Sequence, residues 1–228
     1  MVKDLLVFDM DGVLVDVSES YRETIQQTVL HFTGKPVSRQ QIQDYKNQGG
    51  YNDDWVLSKR LIEDAGVSVD FETIVEKFQS LFHGNHEDGL INRERWIPEP
   101  GLLESLAETN TLAIFTGRLH WEADVTLRKF TAPPFVVVGV DDVKNPKPAP
   151  DGLLQLRARF PEGVMRYLGD TVDDARSAAA AGVPFIGIAP GNTPDRPRLM
   201  RLLRAEGAIE VIENVNELVR AEKDAYAG

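Results

Sequence analysis

The sequence of 228 residues contains no cysteine. A disulfide framework, a zinc site built on thiolates and a cysteine nucleophile are therefore excluded. The chain also lacks a run of about 18 apolar residues, the length that a membrane-spanning helix needs. The apolar segment 5–8 is too short for a secretory signal and directly follows an acidic residue, Asp4. We therefore expect a cytoplasmic protein that does not bind membranes.

Basic residues are the scarcer charge, with 25 Lys and Arg against 36 Asp and Glu and a net charge of −11. Because the phosphates of nucleic acids attract basic surfaces, we expect no nucleic-acid partner. The composition is otherwise that of an ordinary globular chain, with 42% hydrophobic and 27% charged residues. The length allows one sizeable core and a second, smaller one.

Six short apolar segments have the character of buried strands, several of them ended by Gly or Asp. They are residues 5–8, 111–116, 135–140, 165–168, 185–189 and 209–212. Helical patterns lie between them, at 101–109, 119–130, 150–160, 173–181, 195–206 and 214–224. This alternation predicts βαβ units and an α/β fold with a doubly wound, Rossmann-like parallel sheet.

One long segment interrupts the alternation. Between residues 18 and 92 we find no strand, and helical patterns run over 18–33, 38–46, 52–65 and 70–83. The sequence therefore predicts an all-α domain, residues 17–92, inserted into a core domain made of residues 1–16 and 93–228.

Polar residues end several of the predicted strands. Asp9 and Asp11 follow the first strand, Thr116 ends the second, and Lys147 lies in the loop after the third. The carboxyl ends of parallel strands share one edge of a sheet, where ligands bind, so these side chains should converge. By itself Asp11-Gly12 is also a common turn. Asp170 ends another strand at the same edge, with Asp173 and Asp174 close behind, and this crowding favours the functional interpretation.

Clustered carboxylates are tolerated when a cation compensates their repulsion, and oxygen ligands suit Mg²⁺. With no cysteine and no serine elbow, an aspartate is the available nucleophile, and aspartate can form an acyl phosphate. Lys147, Thr116 and the backbone around Gly12 would supply the positive charge and the donors that a transferring phosphoryl group needs.

Four segments, in this order, resemble the motifs of the haloacid dehalogenase-like (HAD) superfamily. They are residues 8–16, Thr116, residues 147–151 and residues 169–174. The resemblance implies that Asp9 is the nucleophile and a Mg²⁺ ligand. It implies that Asp11 protonates the leaving oxygen and then activates water, while its backbone carbonyl binds the metal.

The same resemblance assigns roles to the other motif residues. Thr116 would hold the phosphoryl group, and Lys147, with Lys144 as the alternative, would neutralise it and orient Asp9. Asp170 would ligate Mg²⁺, and Asp174 would support the ion directly or through water. For Asp173, metal contact and a favourable helix-start charge are both open.

The inserted helices resemble the cap of the subfamily that includes phosphoglycolate phosphatase and β-phosphoglucomutase. Lys46 and Asn47 lie where that subfamily has its substrate-specificity loop, although an ordinary interhelical turn is the alternative. Tyr21 and Arg22 are a weaker pair of candidates.

Gly117-Arg118 departs from the family pattern, in which an asparagine often follows the second-motif residue. Arg118 would either bind a second anionic group of the substrate, with Gly117 beside it, or pair with a surface acid.

Asp11 favours phosphate-ester chemistry, because the dehalogenases of the superfamily lack an acid there. We therefore expect a Mg²⁺-dependent phosphatase acting on a small phosphorylated metabolite. A sugar phosphomutase is the first alternative, disfavoured by the absence of histidine at 18–21. A non-catalytic phosphate-binding module is the second. His83 and His86 lack the further ligands of a metal site, and the oligomeric state is not predicted.

Overall fold

The computed structural model describes residues 2–85 and 88–218. The chain divides into two compact units, Asp16–Arg95 and the remainder, Met1–Val15 with Trp96–Gly228. The strands of the described residues, in chain order, are β1 (Asp4–Phe8), β2 (Val15–Asp16), β3 (Arg95–Trp96), β4 (Asn110–Phe115), β5 (Val136–Val138), β6 (Met165–Gly169), β7 (Phe185–Ile188) and β8 (Glu210–Ile212).

The helices of the described residues alternate with these strands in the larger unit and fill the smaller one. They are α1 (Tyr21–Thr33), α2 (Arg39–Lys46), α3 (Asp54–Asp64), α4 (Phe71–His83), α5 (Leu102–Thr109), α6 (His120–Lys129), α7 (Asp151–Arg159), α8 (Val172–Ala181) and α9 (Arg196–Ala205). Within this part of the chain no helix is long and apolar enough to cross a bilayer.

Six strands form one parallel sheet in the order β5-β4-β1-β6-β7-β8. The predicted α/β fold with a parallel sheet is therefore confirmed. Strand β1 lies inside the sheet, and Val7 pairs with Ala113 on one side and Tyr167 on the other. From β1 the chain adds β4 and β5 on one side of the sheet and then β6, β7 and β8 on the other. The carboxyl end of β1 is therefore at the topological switch point, where such sheets bind ligands.

The sheet is stabilised by an apolar core of strand and helix side chains. Val7, Phe115 and Tyr167 are almost fully buried there, together with Leu153 of α7 and Ala178 of α8. Strands with apolar residues on both faces need cover on both faces, which explains the uninterrupted apolar runs in the sequence.

Two predicted elements differ from the structure. The strand predicted over 135–140 is shorter, because Gly139 N donates to the Asp142 carboxylate at 2.8 Å and the chain turns into a short 3₁₀ helix, Val140–Asp142. The helix predicted over 214–224 begins as a 3₁₀ helix at Val215–Glu217, and residues 219–228 lie outside the described residues.

The smaller unit is helical, as the sequence predicts. Ser38 and Asp53 accept hydrogen bonds from the first turns of α2 and α3, which fixes where these helices begin. Gly34 ends α1 in the left-handed conformation that glycine adopts readily. The sequence analysis missed the short strands β2 and β3, which pair with each other where the chain leaves and re-enters the larger unit.

Candidate active site

The segment that follows β1 places Asp9 and Asp11 at the carboxyl end of the sheet. Asp9 continues the strand, since its backbone N donates to Leu168 O at 2.7 Å, and its side chain is buried. The chain then turns back, with Gly12 N donating to Val15 O at 2.8 Å and Gly12 at φ +78°. A Cβ at Gly12 would lie 2.1 Å from Asp170 Oδ2, so only glycine fits this turn.

Lys147 lies between two buried carboxylates. Its Nζ is 2.8 Å from Asp9 Oδ1 and 2.7 Å from Asp174 Oδ1, and its side chain is 1% exposed. The ammonium also lies 4.9 Å from the Phe115 ring centroid and 5.4 Å from that of Tyr167. Of the two lysines that the sequence offered, Lys147 is thus the one at Asp9, whereas Lys144 is exposed.

Asp174 is held by donors on several sides. Tyr167 Oη donates to its Oδ1 at 2.6 Å, and Thr171 donates to Oδ2 from its backbone N at 3.0 Å and its hydroxyl at 2.6 Å. Thr171 and Asp174 form a capping box at the start of α8. Sequence reasoning missed both supporting residues. The T-x-x-D spacing was a usable signal for Thr171, but nothing in the sequence marked Tyr167.

Three carboxylates come close enough to share one cation. One oxygen each of Asp9, Asp170 and Asp174 lies within 4.8 Å of the others. Asp173 is buried but is not part of this set, and neither is the Asp11 carboxylate, whose predicted contact was through the backbone carbonyl. Oxygen ligands of this kind fit a hard divalent cation.

The electrostatics of the cluster also fit a cation. Burial raises the pKa of Asp9 well above its ordinary value, and the carboxylates of Asp174, Asp170 and Asp11 add to the rise, although Lys147 opposes it. Burial acts in the same direction on Asp174, but Lys147 and the hydrogen bonds lower its pKa below the ordinary value. Burial lowers the pKa of Lys147, and the two carboxylates more than reverse this, so the ammonium stays charged. A divalent ion beside Asp9 would favour its ionised form, which a nucleophile needs.

The segment after β4 carries Thr116, Gly117 and Arg118. Thr116 is buried, its backbone N donates to Val138 O at 3.1 Å, and its Oγ1 accepts from Arg118 N at 3.2 Å. Gly117 is exposed. The Arg118 guanidinium donates to Asp11 Oδ1 from Nε at 2.8 Å and from Nη2 at 2.5 Å. Arg118 therefore pairs with Asp11, a residue of the predicted site.

The predicted substrate residues of the helical unit are buried within it. Lys46 Nζ lies 2.7 Å from Asp54 Oδ1, and Arg22 Nη1 lies 3.9 Å from the same oxygen. Asn47 Oδ1 accepts from Gln43 at 2.9 Å, whereas its buried Nδ2 has no hydrogen-bond partner among the described residues. Lys46 and Asn47 therefore belong to a buried polar cluster of this unit.

Tyr21 and His83 pack against other aromatic side chains, and His86 is not among the described residues. Tyr21 packs with its ring centroid 4.1 Å from that of Phe82. Phe82 also contacts His83 edge to face, at 5.0 Å between centroids. His86 lies outside the described residues.

His120, at the start of α6, pairs with Asp142 through Nδ1 and Oδ2 at 2.6 Å. This hydrogen bond raises the pKa of His120 above its ordinary value. The pair therefore stabilises the fold below the ordinary histidine pKa, and this contribution is lost as the pH rises through the raised value. We expect an NMR titration of His120 to show a midpoint above about 6.5, and Asp142→Asn to lower that midpoint. The exposed Glu162→Gln should leave it unchanged, and an unchanged midpoint in Asp142→Asn would contradict the assignment.

Comparison with known proteins shows a family match and several similar phosphatases. Residues 6–188 match the family described as haloacid dehalogenase-like hydrolase. The chain is 32% identical to an imidazoleglycerol-phosphate dehydratase of Phytophthora nicotianae, over 94% of this chain but 49% of that protein, so it spans about half of that relative's length. It is 26% identical to a phosphoglycolate phosphatase of Pseudomonas fluorescens, over 94% of this chain and 78% of that one. Among solved structures, a phosphatase from Thermococcus thioreducens superposes with a TM-score of 0.64 at 24% identity, over 88% and 99% of the two chains.

Proposed function

The chain belongs to the haloacid dehalogenase-like hydrolase family, and we propose that this phosphatase uses Mg²⁺ to hydrolyse a small phosphomonoester through an aspartyl phosphate on Asp9. The observation that carries the proposal is the buried Asp9 carboxylate, held by Lys147 at 2.8 Å and flanked by Asp170 and Asp174. Relatives named phosphoglycolate phosphatase and pyrophosphatase, at 24–26% identity, support a phosphorylated substrate.

The residues that would hold the ion are Asp9, Asp170 and Asp174, with the backbone carbonyl of Asp11 as the further predicted ligand. Their fit rests on the close approach of three carboxylate oxygens and on the raised pKa of Asp9. When bound, the ion supplies positive charge against the phosphoryl oxygens. Since both oxygens of Asp174 also accept hydrogen bonds from the protein, a contact through water is one way for it to support the ion.

In the proposed first step, an oxygen of Asp9 attacks phosphorus. The new bond between this oxygen and phosphorus forms as the bond to the leaving oxygen breaks, and Asp11 gives its proton to that oxygen. Lys147 fixes the Asp9 carboxylate through Oδ1, which orients the whole group. Lys147 and Thr116 would also donate to the phosphoryl oxygens, where negative charge accumulates.

In the second step, water attacks the phosphorus of the aspartyl phosphate. Asp11, now ionised, takes a proton from this water, and the bond between phosphorus and the Asp9 oxygen breaks. Phosphate leaves, and both aspartates return to their starting protonation states. A single carboxylate thus serves first as acid and then as base.

We propose that residues 17–92 act as a cap and that residues 1–16 and 93–228 form the catalytic core. The proposed cap lies within the compact unit Asp16–Arg95. We propose Lys46 and Asn47 as the substrate-selecting residues of the cap, and the buried, unpartnered Nδ2 of Asn47 supports a polar ligand there. Gly117, which is exposed, is the corresponding candidate of the core.

The proposal is tested by phosphate release from a panel of small phosphomonoesters that includes phosphoglycolate and 4-nitrophenyl phosphate. We expect release that EDTA abolishes and Mg²⁺ restores. A binding module would release no phosphate from any compound, and a mutase would isomerise a sugar phosphate without net release. Either result, or activity that EDTA leaves unchanged, contradicts the proposal.

A further inference from the structure

Arg118 is more deeply buried than the carboxylate it contacts. Its side chain is 1% exposed, whereas that of Asp11 is 31% exposed. Two N–H groups of the guanidinium, on Nε and Nη2, donate to the same oxygen of Asp11. A buried guanidinium that points at a half-exposed carboxylate fixes the position of that carboxylate from the protein side.

The guanidinium is itself anchored. Its Nη1 donates to the hydroxyl of Thr126 in α6 at 2.8 Å, and Thr126 is fully buried. The backbone N of Arg118 donates to Thr116 Oγ1 at 3.2 Å. Because the guanidinium is planar and rigid, these contacts tie the position of Asp11 to helix α6 and to Thr116, the residue that follows β4.

We propose that Arg118 is a positioning residue that holds Asp11 in place for proton transfer, and that it does not bind substrate. This inference rests on the proposed function, in which Asp11 protonates the leaving oxygen. It replaces both roles that the sequence left open for Arg118, the capture of a second substrate anion and a pairing with a surface acid.

The effect of losing Arg118 should depend on the leaving group of the substrate. A nitrophenolate leaves readily without a proton, whereas the alkoxide of an alkyl phosphate needs one from Asp11. If Arg118 acts through Asp11, its loss slows transfer of the phosphoryl group to Asp9 far more from the alkyl ester than from the nitrophenyl ester. This first step is read from kcat/KM, because the later attack of water on the aspartyl phosphate is the same for both esters. A residue that grips the substrate would instead raise KM for the ester with the second anionic group.

The test compares Arg118→Met, Asp11→Asn and the double variant on 4-nitrophenyl phosphate and on the best alkyl phosphate of the panel. General acid–base catalysis typically contributes 10²–10⁴-fold, and we expect Arg118→Met to lower kcat/KM for the alkyl ester by about 10²-fold. For the nitrophenyl ester we expect less than about a tenfold loss of kcat/KM. The double variant should be no slower than Asp11→Asn, since both changes remove the same proton transfer.

Arg128→Met is the matched control, because Arg128 lies on helix α6, which Arg118 contacts through Thr126, and its side chain is 75% exposed. Arg128 contacts Asp124, with a hydrogen bond to the carbonyl oxygen at 3.1 Å and a distance of 4.0 Å to the carboxylate. The kinetics of this variant should equal those of the unaltered protein. The kcat/KM for the nitrophenyl ester and a thermal unfolding curve report folding. If Arg118→Met does not fold, Arg118→Lys is used in the same comparison with a smaller expected loss.

Three outcomes overturn the inference: equal losses of kcat/KM on both esters, a rise in KM with kcat unchanged, or losses that multiply in the double variant. An unaltered protein that releases no phosphate refutes the proposed function itself. The role of Arg118 alone is refuted if the protein is active, the loss in Asp11→Asn depends on the leaving group, and Arg118→Met has the same kinetics as the unaltered protein.

Discussion

Asp9→Asn should abolish turnover, with a fall in kcat on the order of 10⁴-fold or more, because loss of the nucleophile leaves only binding and electrostatic effects. An amide oxygen does not form the phosphoryl-enzyme bond. The change is nearly isosteric, and it exchanges a buried carboxylate for an amide beside Lys147, which still has Asp174 as its partner at 2.7 Å. The variant should therefore fold, and its defect should be chemical.

The matched control is Asp4→Asn at the opposite end of the same strand. The Asp4 carboxylate lies 3.8 Å from Arg166 and accepts a hydrogen bond from Val164 N at 3.1 Å, and neither of these partners is a motif residue. Its variant should keep full activity. Acid quenching of the unaltered enzyme during turnover, followed by mass spectrometry, should show phosphate on the peptide containing Asp9. Turnover retained by Asp9→Asn, or a label on another residue, would refute the mechanism.

Lys147→Met should have the largest effect on stability as well as a large effect on activity. It leaves the carboxylates of Asp9 and Asp174 buried without the cation between them. In EDTA at neutral pH we expect the free energy of unfolding to fall by about 3–5 kcal/mol, the usual result of removing one partner of a buried ion pair. Loss of one charged donor to the phosphoryl group should lower kcat by about 10²–10³-fold.

The loss of stability in Lys147→Met should grow as the pH rises. Without Lys147, the buried carboxylates have folded-state pKa values above their unfolded ones, so the destabilisation is largest at high pH and shrinks as the pH falls and they take up protons. Urea unfolding over a pH series measures this. Adding Asp174→Asn should restore part of the stability but none of the activity.

Lys144→Met is the control for Lys147→Met, since Lys144 is exposed and three residues away. It should match the unaltered protein in stability and kinetics. If Lys147→Met were as stable as that control at every pH, the buried charge arrangement described here would be wrong.

The parallel sheet was predictable from the sequence because its strands are buried on both faces and read as short apolar runs. The same reasoning brought Asp9, Lys147, Asp170 and Asp174 to one edge, since strand ends share an edge in a parallel sheet. The structure places these four side chains together. Their chemical roles stay predictions until the variants are measured.

Two other features of the site, the Tyr167 hydrogen bond and the pairing of Arg118 with Asp11, depend on tertiary contacts that no local sequence pattern encodes. Tyr167 lies within β6, and its hydroxyl reaches Asp174 only because α8 starts beside that strand. The pairing of Arg118 with Asp11 joins residues that are 107 positions apart. Arg118 stood out in the sequence as a departure from the family pattern, but its burial and its partner could only be observed.

The position of β1 inside the sheet determines how late this strand opens when the protein unfolds. Asp9, the proposed nucleophile, extends a strand that has neighbours on both sides, whereas β5 and β8 form the edges of the sheet. Fraying begins at margins, where fewer bonds must open. Mild denaturation should therefore open β5 and β8 first, and the carboxylate of Asp9 should keep its position until the central strands of the sheet also separate.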